Sequence, residues 1–132
     1  MSEALRAEVR RRAGGRCEYC HLPDLVDYLV RFHLEHVRPM QHRGLTELDN
    51  LAWACHRCNE HKGTNLATVD PDTNERVWLF NPREQVWDEH FGLSTGRIVG
   101  RTAVGRSTAW LLDMNAKDRL ELRLFLFEHG RL

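Results

Sequence analysis

The chain has 132 residues, enough for one domain with a modest core. Hydrophobic residues make up 42% of it and charged residues 29%, proportions that exclude wholesale disorder, and no apolar run approaches the length of a membrane span. Its 19 basic and 19 acidic residues cancel, so no bulk positive charge marks a nucleic-acid binder, and the placement of the charges has to decide that question.

In chain order, Ser2 is placed to cap a first helix in which Leu5 and Val9 lie one turn apart, and Gly14-Gly15 ends it. The first residues lack the apolar stretch of a signal peptide, which gives the expectation of a cytoplasmic protein. Cys17-Glu18-Tyr19-Cys20 is a tight knuckle, and residues 22–28, with a proline and two aspartates, read as irregular. Residues 29–37 are apolar and β-branched enough for a strand that stops near Pro39. A polar loop over 41–49 contains Gly44, and a second short strand over 51–54 leads into Cys55-His56-Arg57-Cys58, where a helix starts that ends at Gly63.

Beyond Gly63 the pattern predicts a turn at Asp70-Pro71-Asp72 and a strand over 77–80. Ile98-Val99 and residues 102–104 are expected to pair around glycines, and 106–114 to be helical. The alternating leucines 120, 122, 124 and 126 would suit a strand, but the strong helix formers around them, after a capping box from Asn115 to Asp118, favour a helix. Trp78, Phe80, Trp87 and Phe91 read as core. No repeat or linker divides the chain, so we expect a single domain over 1–132, with its core at 16–63 and a C-terminal extension at 64–132.

Cys17, Cys20, Cys55 and Cys58 form two Cys-x-x-Cys pairs separated by 34 residues. In a reducing compartment such pairs point to metal, and four thiolates complete a zinc tetrahedron with no position left for water, hence a structural ion. Free buried cysteines or a redox dithiol are the alternatives, and two matched pairs argue against both. The long separation suits a functional insert hung between the knuckles.

That insert reads Phe32-His33-Leu34-Glu35-His36-Val37-Arg38-Pro39, then Leu48-Asp49-Asn50-Leu51, then Cys58-Asn59-Glu60-His61-Lys62-Gly63. It resembles the HNH endonucleases, the ββα-metal nucleases, whose pattern is an acid-His pair ending one strand, an Asn opening the next and a His or Asn on the following helix. The match runs from Arg16 to Gly63. It implies an α+β fold: a zinc-stapled ββα module with an N-terminal helix and a C-terminal α/β cap. It also implies a metal-dependent endonuclease acting on DNA, with magnesium or manganese as the catalytic ion. By this resemblance His36 is the general base, Asn50 a brace for the loop that carries it, and Glu35 and Asn59 the ligands of the divalent ion. The tail, Leu79-Phe80-Asn81-Pro82-Arg83 followed by Gly100, Thr102, Gly105 and Arg106, is similar to small stand-alone bacterial members.

These residue types suit the chemistry. An imidazole titrates near neutral pH and can take a proton from water. A hard divalent ion prefers oxygen ligands and acts as a Lewis acid on phosphate. Because adjacent strand residues point to opposite faces, Glu35 and His36 share a site only if the strand bends or the two flank the phosphate from different sides. The family's acid is most often Asp and its third residue often His, so Glu35 and Asn59 are departures that bear on metal preference. His33 and His61 are auxiliary candidates, while Arg38, Arg57 and Lys62 are placed to hold DNA phosphates, with Arg10-Arg11-Arg12 and Arg16 as a further basic cluster. A non-catalytic zinc-dependent DNA-binding module and a zinc-stapled protein-interaction domain are the rival readings.

Overall fold

A computed structural model describes residues 2–26 and 31–132. Packing divides the chain into two compact units, Met1–Thr64 with Asn81–Glu84, and Asn65–Phe80 with Gln85–Leu132. Among the described residues the fold is α+β, built from short helices and three two-stranded antiparallel sheets.

In the first unit, α1 (Glu3–Arg12) begins where the Ser2 hydroxyl accepts the Leu5 N–H at 3.1 Å, and Gly14 and Gly15 end it with φ of 67° and 71°. Its one buried residue, Val9, faces β2 (Leu51–Ala54), whose four residues are all buried. Strand β1 (His33–His36) pairs antiparallel with β2, placing His33 opposite Ala54, Leu34 opposite Trp53, Glu35 opposite Ala52 and His36 opposite Leu51. The expected strand start at 29–30, and residues 27–28 of the expected irregular segment, lie outside the described residues. Helix α2 (His56–Lys62) follows at once, so hairpin and helix give the expected ββα order. The Cys55 sulfur caps it by accepting the Cys58 N–H, and Gly63 ends it.

The second unit holds β3 (Ala67–Val69) paired with β4 (Arg76–Trp78), a one-turn helix α3 (Trp87–His90), the hairpin β5 (Phe91–Ser94) and β6 (Arg97–Gly100), and the helices α4 (Ala103–Leu111) and α5 (Lys117–Glu128). Phe80, Phe91, Ile98, Leu112 and Met114 form its buried core, with Phe80 edge-on to Phe91 at 5.2 Å. Residues 102–104 are not a strand, because the Thr102 hydroxyl accepts the Gly105 N–H at 3.1 Å and starts α4, leaving β5 as the partner of β6. Nor does Asn115 cap α5: its amide is bonded to both backbone groups of Ile98, at 2.9 and 2.7 Å. Trp78 is 70% exposed on β4 and does not join the core expected for it.

Candidate active site

The first knuckle brings Cys17 and Cys20 against Cys55 at the end of β2 and Cys58 in the first turn of α2. Their four sulfurs lie within 4.8 Å of one another, all on buried residues. The Cys20 and Cys55 sulfurs are 3.7 Å apart, close to the edge of about 3.8 Å that a tetrahedron with Zn–S bonds of about 2.3 Å requires. The Cys20 and Cys58 N–H groups donate to the Cys17 and Cys55 sulfurs at 3.4 Å each, which suits thiolates held by a cation. Burial pushes the Cys17 thiol up, while hydrogen bonds from Cys17, Cys20 and Cys58 push Cys55 far down. A structural divalent metal such as zinc lets all four ionise, and the residues fit it.

The hairpin separates the acid-His pair. Pairing is regular through Glu35 and His36, so the two side chains project to opposite faces. Glu35, 3% exposed, turns toward α2, where its Oε1 meets the Lys62 ammonium at 2.6 Å and its Oε2 accepts the Tyr19 hydroxyl at 2.7 Å. Lys62 is itself only 2% exposed and also donates to the carbonyls of Val37 (3.0 Å) and His36 (3.3 Å). Burial raises the Glu35 pKa, opposed mainly by the Lys62 charge. Two sequence expectations change as a result. Lys62 does not present its charge to DNA, because that charge is consumed inside the protein. Glu35 has the oxygen chemistry of a divalent-ion ligand, but an ammonium already stands against it, so in this arrangement it does not fit such an ion.

His36 is half-buried on the other face, its Nε2 2.8 Å from the Thr46 hydroxyl. Burial and then the Lys62 charge lower its pKa, which favours neutral imidazole at physiological pH. The loop after it is tied down by Asn50. The Asn50 Oδ1 accepts the Arg38 N–H at 2.9 Å, and its Nδ2 donates to the carbonyls of Arg38 (3.0 Å) and Leu45 (2.8 Å). Gly44 lets the loop close this tightly, since a Cβ there would lie 1.7 Å from the Arg38 carbonyl oxygen.

Asn59 lies one turn before Lys62 on α2, half-buried, and its side chain makes no hydrogen bond among the described residues. His33, on Glu35's face, bonds His56 instead: Nε2 to Nδ1 is 3.0 Å, and His56 Nε2 is 2.8 Å from Glu60. His61 and Arg38 are exposed and Arg57 is half-buried. Sequence reasoning missed Tyr19, Thr46 and Gly44, and it missed the Arg12 guanidinium, which donates to the carbonyls of Leu48 (2.8 Å) and Leu51 (2.6 Å). Only Arg12, within a basic run, carried a signal, and that signal pointed to DNA.

Among the described residues, no helix is long and apolar enough to cross a membrane. No curated protein and no solved structure matches the chain. Residues 17–65, which contain the four cysteines, the hairpin and α2, match the HNH endonuclease family. Over that segment, less than half of its length, the chain is similar to the HNH endonucleases.

Proposed function

We propose that the protein hydrolyses phosphodiester bonds in DNA, with His36 as general base. The observation that carries this reading is a half-buried histidine whose Nε2 meets the Thr46 hydroxyl at 2.8 Å beside a loop pinned by Asn50, its pKa lowered by burial. When His36 Nε2–H donates to Thr46, Nδ1 keeps the lone pair that takes the proton from water. Asn50 fixes the backbone on which the imidazole sits, and Asn59 offers an unengaged amide oxygen. A magnesium or manganese ion held by Glu35 and Asn59 is what the family resemblance implies. With Lys62 on Glu35, that pair is not preassembled, and no step is drawn through it. A thiol-based staple works where thiols stay reduced, which suits a cytoplasmic protein.

The closed Glu35–Lys62 pair favours a second reading, a zinc-dependent DNA-binding module without chemistry. One assay separates the two: plasmid nicking with and without added magnesium or manganese. Under our reading wild type nicks, and His36→Ala loses roughly a hundred- to ten-thousand-fold in rate while keeping its zinc and its DNA affinity. A His36→Ala chain as active as wild type, or a wild type that binds without nicking, sinks the catalytic reading.

A further inference from the structure

A cleft of about 360 Å³ opens beside α1 in the first unit, floored by Phe32 and Trp53 and edged by Arg6, Arg10 and Arg31. Its charges are unequal. Arg10 is bound by Asp24 through two hydrogen bonds, at 2.6 and 3.1 Å, and Asp24 also accepts the Trp53 indole N–H at 3.1 Å, so that carboxylate is fully engaged. Arg31 meets Glu3 at 3.5 Å, with both side chains mostly exposed, a contact weak enough to open. Arg6 lies 4.5 Å over the Trp53 ring and has no carboxylate within ion-pair distance among the described residues. Among the described residues, three guanidiniums therefore face two carboxylates, and the surplus charge is a guanidinium whose flat face rests on indole while its N–H edge stays available. Burial and the Arg31 charge lower the Arg6 pKa, and the Glu3 and Asp24 charges oppose them only in part, so a bound anion would favour the charged guanidinium further.

We propose that this cleft is a phosphate subsite, in which Arg6 and Arg31 hold a backbone phosphate of the DNA strand away from the bond that is cut. The proposal rests on the nuclease reading and deepens it. Guanidinium forks suit phosphate oxygens, and a fork already braced on an aromatic ring loses little freedom on binding. The register places the cleft on the substrate's path. Trp53 is opposite Leu34, and Leu34 shares a hairpin face with His36, roughly 7 Å further along the strand. Glu35 and Lys62 project to the opposite face, so a strand crossing the His36 face meets Arg6 rather than Lys62.

The test measures binding without cutting, in a His36→Ala chain, to a short fluorescent duplex across a series of salt concentrations. Adding Arg6→Gln should flatten the slope of log affinity against log salt by about 0.9, weaken binding to all sequences alike, and leave the zinc content unchanged. Arg31→Gln should do the same, which guards against a packing defect peculiar to Arg6. Arg76→Gln, at an exposed position on β4, should leave the slope intact. If Arg6→Gln and Arg31→Gln keep the parent slope, the subsite is overturned while the nuclease reading stands. A parent chain that binds no duplex removes both. Displacement of the duplex by inorganic phosphate beyond a chloride control of equal ionic strength, lost in Arg6→Gln, would overturn the strand assignment in favour of a free anion.

Discussion

Replacing Lys62 by Met removes the cation from a carboxylate that has almost no access to water. What remains to Glu35 is the Tyr19 hydroxyl, which does not stabilise a buried charge on its own. Breaking one side of such a pair typically costs about 3–5 kcal/mol. An upper limit also applies, because the carboxylate can take a proton instead. With an unfolded value of about 4.3, neutralising Glu35 costs about 4 kcal/mol at about pH 7.5 and about 2 kcal/mol at about pH 6. The sign follows from a folded pKa raised above the unfolded one. The variant's stability is complete below the unfolded value and is lost as pH rises toward the raised folded value. Urea unfolding of zinc-loaded wild type and Lys62→Met at the two pH values isolates this effect, since any pH dependence of the zinc site is common to both proteins. The loss should shrink by about 2 kcal/mol on going to the lower pH. The double variant Glu35→Gln with Lys62→Met should recover much of what either single change loses. Equal losses at both pH values, or no loss at all, would refute the buried pair.

Three further outcomes follow from the same geometry. Purified protein should carry about one tightly held zinc per chain, and Cys55→Ser should lose both metal and cooperative unfolding, as metal analysis and calorimetry would show. Asn50→Ala should destabilise by about 1–3 kcal/mol and speed amide exchange over residues 38–45, with zinc retained, because three backbone groups lose their partner. Because the His36 pKa is lowered, nicking should persist to more acid pH than an unperturbed histidine base allows and then fall as the imidazole protonates, an acid limb visible in rate against pH.

What could be read from the sequence was what spacing carries. The two cysteine pairs, the order strand–strand–helix and the Ser2 cap are local or periodic signals, and all appear in the fold. The parity argument that set Glu35 and His36 on opposite faces also held, because the strand stays regular through both residues. Lys62 was misread because its charge is visible in sequence but its burial depends on where α2 packs against β1. Strand β3 and helix α3 were missed because three or four residues are too few to show a period. Thr102 looked like a strand residue for its branched side chain, yet its hydroxyl was needed as a cap.

Cys55 follows β2, belongs to the four-cysteine cluster that fits a structural metal and caps α2, so metal binding is expected to be coupled to formation of the helix. Seven residues are too few to hold a helix in water unaided, so α2 owes its existence to what grips its first turn. The two side chains that α2 contributes, Asn59 and Lys62, stand in register with the hairpin only after that grip has formed. A chain newly made in a zinc-poor cell would carry every residue of the centre and yet be inert. Metal supply, rather than synthesis, would then set the moment at which the proposed activity becomes possible.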